Sequence, residues 1–218
     1  MPFGLCNAPS VFQRAISAAL KPYIDDFVLI YVDDDVVIYS ESPKYGIEHV
    51  AQVLDALLKN GFSLNIKKCR FLQTEIEYLG RIVSNGQVKP SMGKVNALLQ
   101  SPVPTSVKQV RQFCGLAGYF RKCIPNFSLT MISLYNLTKN NAKWEWTQAH
   151  EDARNTILQC LASEPVLTLF DPTIPSELHT DASSAGLGCV LFQKHGNKLK
   201  VVEYFSMRTT ATESRYHS

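Results

Sequence analysis

Residues 27–40 read Phe27-Val28-Leu29-Ile30-Tyr31-Val32-Asp33-Asp34-Asp35-Val36-Val37-Ile38-Tyr39-Ser40, three carboxylates between two apolar runs. Each run is short, rich in β-branched and aromatic residues, and free of Gly and Pro. That composition predicts a pair of buried strands joined by a tight turn. The turn gathers negative charge at the end of a hydrophobic sheet. Two carboxylates about 5 Å apart repel by roughly 3 kcal/mol at an effective dielectric of 20. A hard divalent cation reverses that sign, because Mg²⁺ takes one or two carboxylates together with substrate phosphates. The stretch therefore points to a metal site for phosphoryl chemistry. A solvated acidic turn is the plainer reading, and the rest of the chain decides between the two.

The composition is that of a globular protein of one or two domains, with no run of 18 apolar residues to cross a membrane. The start, Met1-Pro2-Phe3-Gly4, lacks the basic-then-apolar order of a secretion signal, so an intracellular protein, cytoplasmic or particle-associated, is expected. Cys6, Cys69, Cys114, Cys123, Cys160 and Cys189 form no C-x-x-C pair, which argues against a zinc site and for reduced thiols in or near a core. The net charge of +3 conceals an asymmetry. Residues 59–143 carry 13 Lys/Arg against Glu75 and Glu77 alone, a net +11, and the remainder carries 9 against 17, a net −8. Phe71, Tyr78, Phe113, Tyr119, Phe120 and Phe127 interleave with the basic residues. A basic middle with interspersed aromatics suits a polyanion such as nucleic acid.

Apolar periodicity and breakers divide the chain further. Ser10 is placed to cap a helix to about Leu20, with Val11, Ala15, Ala18 and Ala19 or Leu20 on one face. An amphipathic helix over roughly 46–60 turns Val50, Val53, Leu54, Leu57 and Leu58 inward, with Gly61 as its terminating residue. Residues 62–66 and 76–83 read as short strands, and Asn85-Gly86 as a turn. One helix is expected over 91–100. Thr105 or Ser106 caps another to about Cys123, with Val107, Val110, Cys114 and Ala117 at helical spacing, and a third runs from about Thr147 to Ala162. The last unit reads as strands Glu177–Asp181, Leu187–Lys194 and Leu199–Ser206.

Several separated blocks carry one family resemblance. Tyr31-Val32-Asp33-Asp34 resembles the Y-x-D-D signature of reverse transcriptases, and Met1-Pro2-Phe3-Gly4-Leu5-Cys6-Asn7-Ala8-Pro9-Ser10-Val11-Phe12-Gln13-Arg14 resembles the block that precedes it. Tyr78-Leu79-Gly80-Arg81 is similar to the F-L-G-H block. Val103-Pro104-Thr105 with Val110-Arg111-Gln112-Phe113-Cys114-Gly115-Leu116-Ala117-Gly118-Tyr119-Phe120-Arg121 is similar to the P-T…R-x-F-L-G-L-x-x-Y-Y-R block. Pro165-Val166-Leu167 and Thr180-Asp181-Ala182-Ser183 follow in the family order. Taken together, the blocks resemble the Pol polyprotein of gypsy-type LTR retrotransposons over essentially the whole chain.

The resemblance implies an α+β fold. Residues 1–84 would be part of a reverse-transcriptase palm, an antiparallel sheet with helices; 85–143 a thumb and connection; and 144–218 the N-terminal strands of a ribonuclease H-like domain. It implies RNA-directed DNA synthesis with two Mg²⁺ ions, acting on an RNA template, a DNA primer, an RNA–DNA hybrid and deoxynucleotides, with no membrane partner. Asp33 and Asp34 match two polymerase metal ligands, and Asp181 the first ribonuclease H carboxylate. Pro2, Phe3, Gly4 and Gln13 match the nucleotide pocket and the helix after it, and Arg14 lies with Gln13 near the template. Tyr78, Leu79, Gly80 and Arg81 match the loop that grips the primer end. Lys108, Arg111, Arg121 and Lys122 lie where thumb contacts to phosphate are expected.

Two departures from the family pattern bear on activity. The third polymerase carboxylate lies upstream of M-P-F-G in the family and is not among these residues. Asp35 reads as an insertion, because spacing counted from Ser40 puts the signature tyrosine at Val32 rather than Tyr31. A slip by one turns every strand side chain to the other face, so either the turn grows or a bulge absorbs it, and Asp34-Asp35 remains an alternative functional pair. The second ribonuclease H carboxylate would follow Glu213-Ser214-Arg215-Tyr216. Glu203 and Glu213 do not match it, and Glu213 reads as a surface or capping residue. The expectation is a Pol fragment that does not polymerise without further Pol segments. The alternative is a non-enzymatic nucleic-acid-binding remnant.

Overall fold

The computed structural model describes residues 6–31, 35–163, 165–210 and 212–215. The chain divides into two compact units, residues 1–73 and 74–218.

The first unit contains helix α1 (Ala8–Leu20), strands β1 (Val28–Tyr31) and β2 (Asp35–Ile38), and helix α2 (Pro43–Lys59). β1 and β2 pair antiparallel with Val28 opposite Ile38, Leu29 opposite Val37, Ile30 opposite Val36 and Tyr31 opposite Asp35. Val28, Ile30, Val36 and Ile38 share the face that meets the core built on Ile16, Leu20, Phe27, Val53 and Leu57. The expectation of a pair of buried strands holds for one face only: Leu29 and Tyr31 are exposed, since α1 and α2 supply one packing layer only among the described residues.

α2 begins at Ser42, whose side chain accepts from the Tyr45 N–H, and ends at Gly61 in the left-handed region (φ 77°). The Phe62 N–H donates to Leu57 O, the wrap expected of a glycine terminator. Two helix-face expectations fail. α1 starts earlier, with Asn7 rather than Ser10 at its cap, and buries Ile16 and Leu20 while Val11, Ala15 and Ala18 face out. Phe12 closes the same stripe edge-on against Phe62 at 5.9 Å. Both stripes have helical spacing, and the one with the larger side chains removes more area from water. Leu58, expected inward, is exposed.

In the second unit, β3 (Glu75–Tyr78), β4 (Arg81–Ser84), β5 (Gln87–Pro90) and β6 (Leu167–Thr168) make a four-stranded antiparallel sheet in that order. The strand expected over 76–83 is thus a hairpin. Its turn residues Leu79 (φ 50°) and Gly80 (φ 66°) are both left-handed, as are Asn85 (φ 49°) and Gly86 (φ 70°) in the next turn. Two positive φ values match the right-handed strand twist in a two-residue connection. Residues 62–66 form no strand; Ile66–Lys68 is a 3₁₀ turn.

The helices are α3 (Met92–Leu99), α4 (Val107–Tyr119), α5 (Phe127–Thr130), α6 (Ile132–Leu137) and α7 (Gln148–Ala162). Ser106 caps α4, which ends four residues before Cys123 and gives way to a 3₁₀ turn at Arg121–Cys123. Val110, Cys114 and Ala117 are buried as their spacing predicts, and Phe113 joins them. One core runs through these helices, including Leu98, Phe120, Met131, Leu134, Ile157 and Leu161.

Strands β7 (Ser176–Ala182), β8 (Gly186–His195) and β9 (Lys198–Arg208) form an antiparallel sheet with β8 central. Gln193 is fully buried within it. Its side-chain amide donates to Asp171 O and Ile174 O and accepts from the Asp171 N–H, fastening the loop that enters β7.

Candidate nucleic-acid interface

In sequence the acidic triplet falls between the end of β1 and the start of β2, with Asp35 as the first residue of β2. Asp33 and Asp34 lie outside the described residues, as do Pro2, Phe3 and Gly4. Asp35 opens β2 on the face of Tyr31, opposite the core. The paired register is unbroken from Val28/Ile38 to Tyr31/Asp35, so no bulge occurs in the described ladder. Gln13 and Arg14 are exposed on α1.

The turn Tyr78-Leu79-Gly80-Arg81 is tied to the start of α3. Ser91, the α3 cap residue, donates its N–H to Gly80 O at 3.0 Å and its hydroxyl to Glu77. Across the other side of the turn stand Lys94 and Tyr119, with the Lys94 ammonium 3.9 Å from the centre of the tyrosine ring. Gly80 is favoured by its positive φ, and a Cβ there would lie 2.7 Å from both Lys94 Nζ and Tyr119 Oη, so these two side-chain ends would have to shift. Sequence reasoning did not single out Lys94 or Tyr119 as site residues, because nothing in periodicity links an α3 lysine to the last residue of α4.

The four basic residues expected to meet phosphate differ in surroundings. Arg111 donates from Nη2 to Thr138 O at 3.0 Å, closing the end of α6. Arg121 donates from Nη2 to Ser206 O at 3.1 Å, and Lys122 pairs with Glu203 at 2.9 Å, both on β9. Ser128 adds two hydrogen bonds to Ser206 at 2.8 Å each. Lys108 is exposed on α4. Arg81 lies near enough to Cys123 for its guanidinium to counter, in part, the upward push that burial gives that thiol.

Asp181 sits near the end of β7, exposed, opposite Gly188. At the far end of β9, a cavity of about 480 Å³ is lined by Lys139, Ser184, Arg208, Thr209 and Thr210, among others. Glu213 is a capping residue, as expected. Its carboxylate accepts from the Thr210 N–H at 2.7 Å while its own N–H donates to Thr210 Oγ1 at 3.2 Å, and the hydrogen bonding of Thr210 to the carboxylate, its backbone N–H first, holds the acid below the usual range.

Among the described residues no group of three His, Cys, Asp or Glu is placed to hold a metal. Carboxylate oxygens are nonetheless the donor type a hard cation takes, and the Asp33–Asp35 run supplies them in sequence. Among the described residues, no helix is long and apolar enough to cross a membrane.

Residues 1–83 match the family model described as reverse transcriptase (RNA-dependent DNA polymerase). Residues 146–218 match that of an RNase H-like domain found in reverse transcriptase. The Transposon Tf2-3 polyprotein of Schizosaccharomyces pombe (strain 972 / ATCC 24843) is 36% identical over 217 residues, which are 99% of this chain and 16% of the relative. The chain belongs to the reverse transcriptase and ribonuclease H region of the retrotransposon Pol family. The Tf2-7 polyprotein of the same organism gives 35% identity over the same length, so this Pol chain spans about a sixth of the curated relatives it matches.

Two solved structures share the Pol fold. The foamy viral protease-reverse transcriptase dRH in complex with ds DNA superposes with a TM-score of 0.86 at 24% identity, covering 99% of this chain and 38% of that one. The foamy viral protease-reverse transcriptase in complex with RNA/DNA hybrid gives 0.84 at 24% identity, covering all of this chain and 29% of that one.

Proposed function

We propose that this chain supplies part of a nucleotide-polymerising centre through its first unit and opens a hybrid-cleaving centre through β7. Its partners are a primer–template duplex, an RNA–DNA hybrid and deoxynucleotides. The observation that carries the reading is the core-backed β1–β2 pair, whose ladder ends at Tyr31 and Asp35, the residues that bracket Val32, Asp33 and Asp34 in the sequence. Asp33 and Asp34 would hold divalent metal there, and Asp181 would hold it on β7. Mg²⁺ at such carboxylates supplies charge stabilisation for phosphoryl transfer.

The chain's own groups have separable tasks. Pro2, Phe3, Gly4 and Gln13 shape the nucleotide pocket. Tyr78, Leu79, Gly80 and Arg81 hold the primer end on a turn whose two left-handed residues fix its shape. Lys108 meets phosphate from α4, while Arg111 and Arg121 reach duplex only alongside the protein carbonyls they already engage. The corresponding division is a palm over 1–84, thumb and connection over 85–143, and ribonuclease H-like strands over 144–218. The nucleic acids held by the foamy viral proteins support a duplex partner, as does the net +11 over residues 59–143.

The test is a chimera in which residues 1–218 replace the matching stretch of a Tf2 polyprotein. Templated, Mg²⁺-dependent primer extension supports the reading. A folded chimera that binds hybrid with strong salt dependence and never extends it contradicts the polymerising role and leaves a binding protein without turnover.

A further inference from the structure

We propose that Lys94 and Tyr119 form a receptor for one phosphodiester of the nucleic-acid strand held at the Tyr78–Arg81 turn, with Lys94 Nζ donating to its non-bridging oxygens. The inference rests on the duplex-binding reading above and names a contact that reading does not contain.

Three features of the second unit converge on this point. First, the turn and α3 are locked together, because Ser91 is buried, gives its N–H to Gly80 O and gives its hydroxyl to Glu77. Lys94 follows Ser91 on α3, so the backbone from which its side chain leaves is fixed relative to the turn.

Second, the ammonium is held but not neutralised. It lies 3.9 Å from the Tyr119 ring centre, and among the described residues no carboxylate comes within ion-pair range of it. A cation over an aromatic face keeps its outward N–H donors, because the ring attracts the charge without accepting a conventional hydrogen bond. Tyr119 is itself fixed, packed edge-on against the buried Phe120 at 5.1 Å. This pre-orders a long side chain that would otherwise lose rotamer entropy on meeting a ligand.

Third, the pair approaches Gly80 as closely as a glycine allows, with Nζ and Oη both 2.7 Å from where its Cβ would be. Anything gripped by the turn therefore meets this ammonium. Lys94 is exposed, whereas Arg111, Arg121 and Lys122 are engaged by Thr138, Ser206 and Glu203. An unneutralised, pre-ordered cation beside a strand-gripping turn fits a backbone phosphate, and in a chain with +11 over this region that phosphate belongs to a nucleic acid.

The experiment measures the affinity of the 218-residue chain for a short fluorescein-labelled RNA–DNA hybrid as salt is raised. In Lys94→Met the stem still covers the ring and the charge is gone. The expected result is an unchanged melting temperature, about tenfold weaker binding at low salt, and a slope of log affinity against log salt smaller by about one. Lys94→Arg and Tyr119→Phe are expected to bind as the parent does, and Tyr119→Leu to bind more weakly. Lys44→Ala, on the exposed side of α2, serves as the unchanged control. A Lys94→Met chain with the parental slope, beside a reduced slope in Lys108→Ala, overturns the receptor and leaves the duplex-binding reading standing. A lower melting temperature in Lys94→Met with the parental slope makes the pair a structural strut and also overturns it. A parent chain with no salt-dependent affinity overturns both readings.

Discussion

Tyr31 stands directly opposite Asp35 in the β1–β2 ladder, on the face turned away from the core. Spacing alone left two registers open, and in the described ladder Tyr31 keeps a partner and the strands remain regular. The register has an energetic signature. Val28 is fully buried and Leu29 is 44% exposed. Val28→Ala should destabilise the chain by about 2 kcal/mol, from two methyl groups lost plus the space left behind, and Leu29→Ala by less than about 0.5 kcal/mol. Urea melts of the two variants check this, and a reversed order would mean the ladder is shifted by one.

The two turns of the β3–β5 meander make a matched comparison. Gly80 and Gly86 both have positive φ, but a Cβ at Gly80 meets Lys94 and Tyr119 whereas one at Gly86 meets open space. Ala at either site carries the left-handed strain of about 1 kcal/mol, and Gly80→Ala must also displace the side-chain ends of Lys94 and Tyr119. Thermal melting should rank Gly80→Ala below Gly86→Ala, and a reversed order would mean that Lys94 and Tyr119 do not pack on the turn.

β9 is held to the 3₁₀ turn and α5 by Arg121, Lys122 and Ser128. Arg121→Ala removes a charged donor from Ser206 O and should cost about 1–2 kcal/mol. The Lys122–Glu203 side chains are half exposed, so Lys122→Ala should cost less than about 1 kcal/mol. Chemical denaturation of both variants tests the ranking, and equal large losses would place the docking energy in the ion pair instead.

The hairpin at 27–40, the Asn85-Gly86 turn and the last three strands were legible because each pairs a strong local pattern with unambiguous breakers. α4 was legible because Val110, Cys114 and Ala117 repeat on one face. The face of α1 was not, since Val11/Ala15/Ala18 and Phe12/Ile16/Leu20 both repeat helically and only packing volume chooses between them. Basic residues were legible as a count but not as individuals. Arg111 and Arg121 are committed to Thr138 and Ser206, partners far away in sequence, and the Lys94–Tyr119 contact exists only once α3 and α4 are packed. The catalytic roles proposed for Asp33 and Asp34 rest on motif resemblance, which specifies chemistry without specifying aim.

Burial pushes the Cys114 thiol up to about 11, above its ordinary value of 9.0. The unfolded chain therefore releases this proton first, and the stability it lends is complete below pH 9 and is lost as pH rises toward about 11. Cys114→Ala should flatten that part of the stability–pH curve measured by urea melts, and an unaltered curve would mean the thiol titrates normally.

The most direct measurement is Mg²⁺-dependent primer extension by the Tf2 chimera carrying Asp33→Asn, Asp34→Asn or Asp35→Asn, each checked for hybrid affinity. The account predicts that Asp33→Asn and Asp34→Asn each lower extension at least about a hundredfold with binding retained, because the charge that positions metal is gone. Asp35→Asn, facing out beside Tyr31, is predicted to extend near the parental rate. Parental extension in Asp33→Asn would contradict the account.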